Sequence, residues 1–232
     1  MSEKIINRIE ALLRKAESTD SDEEREALSA KAEALMIKYS IDQAMLDPDR
    51  NTEDQIISVQ VHMRGIYQMI HMASALSVVQ AMGARGYYTD LRRLNKTVVV
   101  TIIDFESTIG IIQRMVDSVL TQGMMSMNFW WAANKSEWAA SQGYMARRSY
   151  LEGFGRGVAD RIRREREEAV AEVSETSGGE LVLARDRKLD DAIAPLGLVN
   201  KASRHRSARD ALTAGFVDGQ RADINRKSSV TV

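Results

Sequence analysis

His62, His71 and His205 are the first residues of this chain whose chemistry would matter if they met. Neutral imidazole ligates zinc, and hydrolytic zinc needs three protein ligands with one position left open. The chain contains no His-Glu-x-x-His, no His-x-His and no cysteine, so the three histidines read as structural residues. Asp186 and Asp190 stand four apart, with Asp191 beside them. On a helix the first two share a face, where a carboxylate pair can hold Mg²⁺. With His205 they sketch a metal-dependent nuclease or hydrolase. Arg185, Arg187 and Lys188 interleave with them, and a solvated charged helix accounts for the same residues. No metal and no cofactor is expected.

Gly153-Phe154-Gly155-Arg156-Gly157 has the glycine density of a phosphate loop. It lacks the Gly-Lys-Ser/Thr ending, does not fit Gly-x-Gly-x-x-Gly, and sits inside a helical pattern. Residues 215–219 repeat its Gly-Phe-x-x-Gly spacing, and Ala-Asp follows closely in both places. Glycines at i and i+4 share a helix face and let another backbone come close, so a helix crossing is the better reading. No Gly-x-Ser-x-Gly nucleophile elbow occurs. Acyl transfer, phosphoryl transfer and hydride chemistry find no motif here.

Basic groups carry the strongest functional signal. Arg92, Arg93 and Lys96 fall at an expected hairpin tip. Arg204, His205, Arg206 and Arg209 lead into an expected final helix, and Arg147 and Arg148 precede Tyr150. Such groups neutralise phosphates, and Tyr87 and Tyr88 offer stacking faces. A solvated turn and helix start, or pairing with an acidic surface, explains them as well. A second candidate surface is the run at 124–138, which packs three Met, one Phe and three Trp into fifteen residues. Met124, Met125, Met127, Trp130 and Trp131 include neighbours that cannot share one helix face. They need a second apolar surface, either a docked part of the same chain or a second subunit, so self-association is one expectation.

Composition narrows the class. The chain has 232 residues, 44% hydrophobic and 28% charged, with two prolines and a formal net charge of −1. This suits a soluble, mainly helical protein with a real core and no global basic footprint. The charge is uneven: residues 1–54 carry 8 basic and 14 acidic side chains, residues 197–232 carry 7 and 3. No signal segment and no apolar run long enough for a membrane span is present, so a cytoplasmic protein with no membrane partner is expected.

These residues need elements to hold them. Ile5, Ile6, Ile9, Leu12, Leu13 and Ala16 form one helical stripe; Leu28, Ala32, Leu35, Met36 and Tyr39 form another. Ser21 and Glu24 fit a capping box between them. Residues 46–54 read as a polar linker. Then come a strand at 55–62 and a helix at 66–82 with Ile66, Met69, Ile70, Ala73 and Leu76 inward. Strands follow at 85–90 and 97–103. Asp104 is expected to cap a long helix, and another helix runs over 136–173. A last strand at 181–184, a short helix to Ala194, a turn at 195–197 and a helix at 207–225 complete the chain.

The Leu-Leu-x-Lys-Ala-Glu-Ser run at 12–18 and the Ala-x-x-Leu-Met-x-x-Tyr run at 32–39 resemble the helical module catalogued as domain of unknown function 2786, found in bacterial and phage genomes. The segments at 97–120, 147–154, 183–187 and 215–223 resemble a second one, domain of unknown function 7168. Together the resemblances span nearly the whole chain. They imply architecture and carry no catalytic residue with them. The expectation is a mainly helical α+β protein: a hairpin module at 1–47, an α+β domain with a small antiparallel sheet at 55–225, and a loose tail at 226–232. Its leading function is non-catalytic, an interaction or nucleic-acid-associated accessory protein of phage or bacterial type (placed in the host cytoplasm if phage-encoded). The metal-dependent hydrolase and a purely structural, oligomeric protein-binding role are the alternatives.

Overall fold

A computed structural model describes residues 2–44, 54–174, 178–199 and 207–222. The two N-terminal stripes fold as α1, Ser2–Ser18, and α2, Asp22–Ala44. Half of the expected capping box forms: Ser21 Oγ accepts the Glu24 amide at 3.3 Å. The Glu24 carboxylate turns instead to the Thr19 hydroxyl at 2.7 Å and the Lys15 ammonium at 2.8 Å. A cation within reach holds a carboxylate better than one more amide does.

Three strands follow: β1, Ile56–Met63; β2, Arg85–Leu91; and β3, Thr97–Phe105. They form an antiparallel sheet in the order β1-β3-β2. All of β3 is buried, which explains its unbroken Val/Thr/Ile run. Met63 pairs with Val98 and Leu91 with Thr97, so the exits of β1 and β2 lie at one end of the sheet with the entry of β3. Tyr88 pairs with Val100 on the core side, and Tyr87 pairs with Thr101 on the opposite face.

Helix α3, Gln68–Ala81, joins β1 to β2 and ends where expected: Gly83 takes φ +88° and the Ala84 amide closes onto the Val79 carbonyl at 3.1 Å. Its buried face matches the expected one in part: Ile70 is in the core and Met69 and Leu76 pack against it. Ile70, Met72, Ala75, Val78 and Val79 point inward, while Ile66 precedes the helix and is exposed, as is Ala73. The segment is apolar nearly all round, so its period singles out no face.

A short helix, α4, Arg92–Asn95, turns β2 into β3. Helix α5, Glu106–Asn134, then runs unbroken through Gly123 and the Met/Trp segment. Asp104 does not cap it. β3 extends through Phe105, and the start of α5 is met from elsewhere: Asp54 Oδ1 accepts the Ser107 amide at 3.0 Å and the Gln55 carbonyl the Glu106 amide at 2.8 Å. The last residue of the expected linker is thus a non-local helix cap.

Two 3-10 turns, 135–137 and 140–142, stand where the next helix was expected to begin, and α6 spans Gly143–Ser174. The strand expected at 181–184 is a helix, α7, Gly178–Ile193. Val182, Arg185 and Leu189 are its buried residues among those described, one helical face, and a four-residue apolar run cannot reveal that period by itself. Pro195 lies in a 3-10 turn. Helix α8, Arg209–Arg221, is the expected last helix and starts two residues later than 207; positions 223–225 and the expected tail at 226–232 lie outside the described residues.

α6 organises the body. A methyl added at Gly153 would strike the Leu212 carbonyl, and one at Gly215 the Tyr150 carbonyl; Gly157 and Gly219 meet backbone in the same way. The two Gly-Phe-x-x-Gly segments are therefore one close helix crossing, as their spacing implied. The hairpin packs on its own chain: Ile9, Ala32, Met36 and Tyr39 belong to the same apolar core as Val100, Ile112 and Tyr150. Among the described residues no helix is long and apolar enough to cross a membrane.

Candidate nucleic-acid interface

The direction of three helices decides where the basic groups go. Along α6, Tyr144 donates to the Ile66 carbonyl at 3.1 Å and stacks on Tyr67, just before α3. Further along, Gly155 abuts Ser74, so α3 and α6 run parallel. Ser149 accepts the Ala208 amide at 2.9 Å, just before α8. Gly157 lies against Phe216 and Gln220, so α8 runs the same way. The N-termini of all three helices therefore lie towards one end of the molecule, within about 10 Å along the axis at 1.5 Å rise per residue. That end adjoins the end of the sheet where β1 leaves, because Arg64 and Gly65 alone separate Met63 from Ile66.

Arg64, Arg92, Arg93, Lys96 and Arg209 are exposed at this end, and Arg147 and Arg148 are half-buried there. Arg64, Arg93, Lys96, Arg148 and Arg209 form no ion pair among the described residues. Helix N-termini add roughly half a positive charge each. Arg92 is engaged: it grips Asp90 with two hydrogen bonds, 2.9 and 2.7 Å, and holds that carboxyl well below its usual range, at about 2. Arg147 lies over the Trp131 ring, 5.2 Å from its centre. Among the described residues the acidic groups of the same end are few, Asp90 being one of them. Glu152 is occupied by Arg156 and Ser207; Glu137 and Asp210 are exposed. Arg204, Arg206 and His205 lie outside the described residues.

Arg64 was not singled out in the sequence. A lone arginine carries no signal until strand register sets it beside the 92–96 tip. Of the two tyrosines, Tyr87 alone is placed away from the core.

The Met/Trp segment closes largely on its own chain. Met127 is buried; Met124, Met125, Trp130 and Trp131 are half-buried. Trp130 stacks on Tyr150 with ring centres 4.9 Å apart and meets Trp138 edge-on at 6.2 Å. The second apolar surface these residues needed is the start of α6. Phe129 remains exposed.

The remaining candidates occupy other places. His62 is exposed on β1. His71 faces a small cavity with Ser74, Leu120, Leu151 and Phe154; burial lowers its pKa, and its Nε2 has no hydrogen-bond partner among the described residues. Asp190 is paired with Arg85 at 2.6 Å and Asp186 with Arg166 at 3.5 Å. A hydrolase built on these carboxylates would have to break both pairs before either met a metal. Among the described residues no three His, Asp or Glu side chains converge as metal ligands.

Two buried polar clusters escaped sequence reasoning. Arg185 donates to Asp54 at 3.0 Å, Ser107 at 3.2 Å and Thr108 at 3.0 Å, with its guanidinium 3.7 Å from the centre of the Phe105 ring. Beneath it, Asp104 accepts the Phe105 amide and the Thr108 hydroxyl, and burial pushes its carboxyl pKa up. The second cluster is Glu33 with Arg161 and Gln122. The partners of Arg185 and of Glu33 lie far away in sequence, so no spacing announces them.

Residues 4–43 match the family described as Protein of unknown function (DUF2786). Comparison with curated proteins and with solved structures gives no match.

Proposed function

We propose that this protein is a non-catalytic accessory module that associates with nucleic acid through its basic end. What supports this reading is that the element ends carrying the exposed Arg64, Arg93, Lys96 and Arg209 and the half-buried Arg148 lie towards one end of a chain whose net charge is −1. A chain without global positive charge gains phosphate affinity only where its cations are concentrated. The same reading takes the segments at 97–120, 147–154, 183–187 and 215–223 as a second domain of the type catalogued as 7168. It also takes the protein as one of phage or bacterial accessory function.

Titration of labelled duplex and single-stranded DNA at rising salt tests the proposal. Log affinity should fall linearly with log salt, and Arg93→Ala with Lys96→Ala should flatten the duplex slope by about 0.9 per lost phosphate contact. Arg92→Ala should matter less, because Asp90 already holds that guanidinium. No binding to either DNA in dilute salt overturns the proposal.

A further inference from the structure

Leu94 is the most exposed large hydrophobic side chain among the described residues, at 83%. It stands on α4 at the tip of the β2–β3 hairpin, between Arg93 and Lys96. Hairpin tips are ordinarily polar, and a leucine there forgoes burial. The tip is also rigidly footed. On one side Asp90 accepts the Arg92 amide at 3.1 Å as well as its guanidinium. On the other, Asn95 Oδ1 accepts the amide of buried Thr97 at 3.2 Å, and the Thr97 hydroxyl donates to the Asn95 carbonyl at 3.2 Å. Lys96 takes a left-handed φ of +58° to make that join. The leucine is thus presented on a pre-ordered mount, which spares the ordering cost at the moment of contact.

The geometry points to Leu94 as a wedge that enters a base step of duplex DNA from the minor groove while Arg64, Arg93 and Lys96 hold the flanking phosphates. This rests on the nucleic-acid reading and narrows it to the duplex. A single strand is gripped by stacking bases on aromatic rings. The tip has none: Tyr88 packs against the core, and Tyr87 lies on the sheet face four strand positions before Leu91. An exposed aliphatic side chain with Arg93 and Lys96 on either side of it in the chain matches the other mode, in which an inserted apolar residue unstacks one step and kinks the duplex.

The test uses the full chain and a duplex of about three helical turns carrying end fluorophores and 2-aminopurine at one step. Wild type should bring the ends closer and brighten 2-aminopurine. Leu94→Ala should bind with an unchanged salt slope and lose both signals; Leu94→Met should keep them. Position 94 is exposed, so circular dichroism should be the same for all three. Wild-type binding without bending, or bending that survives Leu94→Ala, overturns the wedge and leaves the nucleic-acid reading standing. Preference for single strands does the same. No DNA binding, with Leu94-dependent binding to anionic vesicles, overturns both and assigns the tip to a lipid surface.

Discussion

The Arg161 guanidinium of α6 meets the Glu33 carboxylate of α2 at 2.7 Å, with the two side chains 9% and 1% exposed. Gln122 of α5 donates to the other Glu33 oxygen at 2.7 Å, and Arg161 also donates to the Gly219 carbonyl of α8 at 3.3 Å. One ion pair therefore ties the N-terminal hairpin to three helices of the body. Desolvation makes such a pair a weak net stabiliser, but it makes the loss of one partner expensive.

Arg161→Met should lower unfolding stability by about 3–5 kcal/mol, because the Glu33 carboxyl is left without its cation in an apolar site. Glu33→Gln with Arg161→Met should recover much of that loss. Urea unfolding of the three proteins measures both. A double variant as unstable as the single one would show that packing, not the stranded carboxyl, sets the cost.

Stability should also fall as pH rises towards neutrality. Burial lifts the Glu165 carboxyl to about 7 from an ordinary 4.5, with Glu33 and Glu168 raising it further and Arg161 and Arg164 opposing. The folded pKa lies above the unfolded one, so the folded chain keeps a proton that the unfolded chain has released. This contribution is fully present below about 4.5 and is lost as pH climbs to about 7. Glu33 and Asp104 are shifted in the same direction by burial. Glu165→Gln should flatten the pH profile of the thermal midpoint between about pH 5 and 7.5. An identical profile in the variant would remove Glu165 as its source.

Much of this fold was legible where one period dominates. The α1 and α2 stripes, the β3 run and the paired Gly-Phe-x-x-Gly segments each carry a local pattern that tertiary packing did not overrule. Legibility was partial where apolarity surrounds the helix, as in α3, and failed where a run is too short to show its period, as at Leu181–Ala184. It failed again at Asp54, whose polarity looks like linker until Arg185 and Ser107 surround it. The basic end was half legible: Arg92, Arg93, Lys96 and Arg209 stand out by type, but Arg64 joins them through strand register alone.

The helix crossing gives a sharp contrast among glycines. Gly153→Ala or Gly215→Ala would drive a methyl into carbonyl oxygens of the facing helix, with no flexible side chain to yield. Overpacking of this kind costs about 1–3 kcal/mol or more. Gly110 is exposed on α5, with only the Arg114 guanidinium near, at 3.8 Å. Gly110→Ala should therefore stabilise by about 0.5–1 kcal/mol through helix propensity. Thermal melts that move all three variants in one direction would contradict the crossing.

Arg185 should act as the pin that holds α7. Its three donors reach Asp54, Ser107 and Thr108, each bound to the start of α5 or to Asp104. The rest of α7 is fastened by Val182, Leu189 and the two ion pairs to Arg85 and Arg166, of which Arg85–Asp190 is partly exposed. Exposed pairs contribute about 0–1 kcal/mol, so they cannot substitute for the buried guanidinium. Arg185→Met strands Asp54 beside Ser107 and removes the charge that faces Phe105. Hydrogen exchange should then rise across residues 178–193 and at the first turn of α5, while the α6–α8 crossing keeps its protection, because local opening follows the elements that lose their buried contacts. Ser107→Ala should raise exchange less, since Asp54 would still accept the residue 107 amide and the Arg185 guanidinium. Uniform loss of protection through α6 and α8 would mean that Arg185 supports the whole core, not α7 alone.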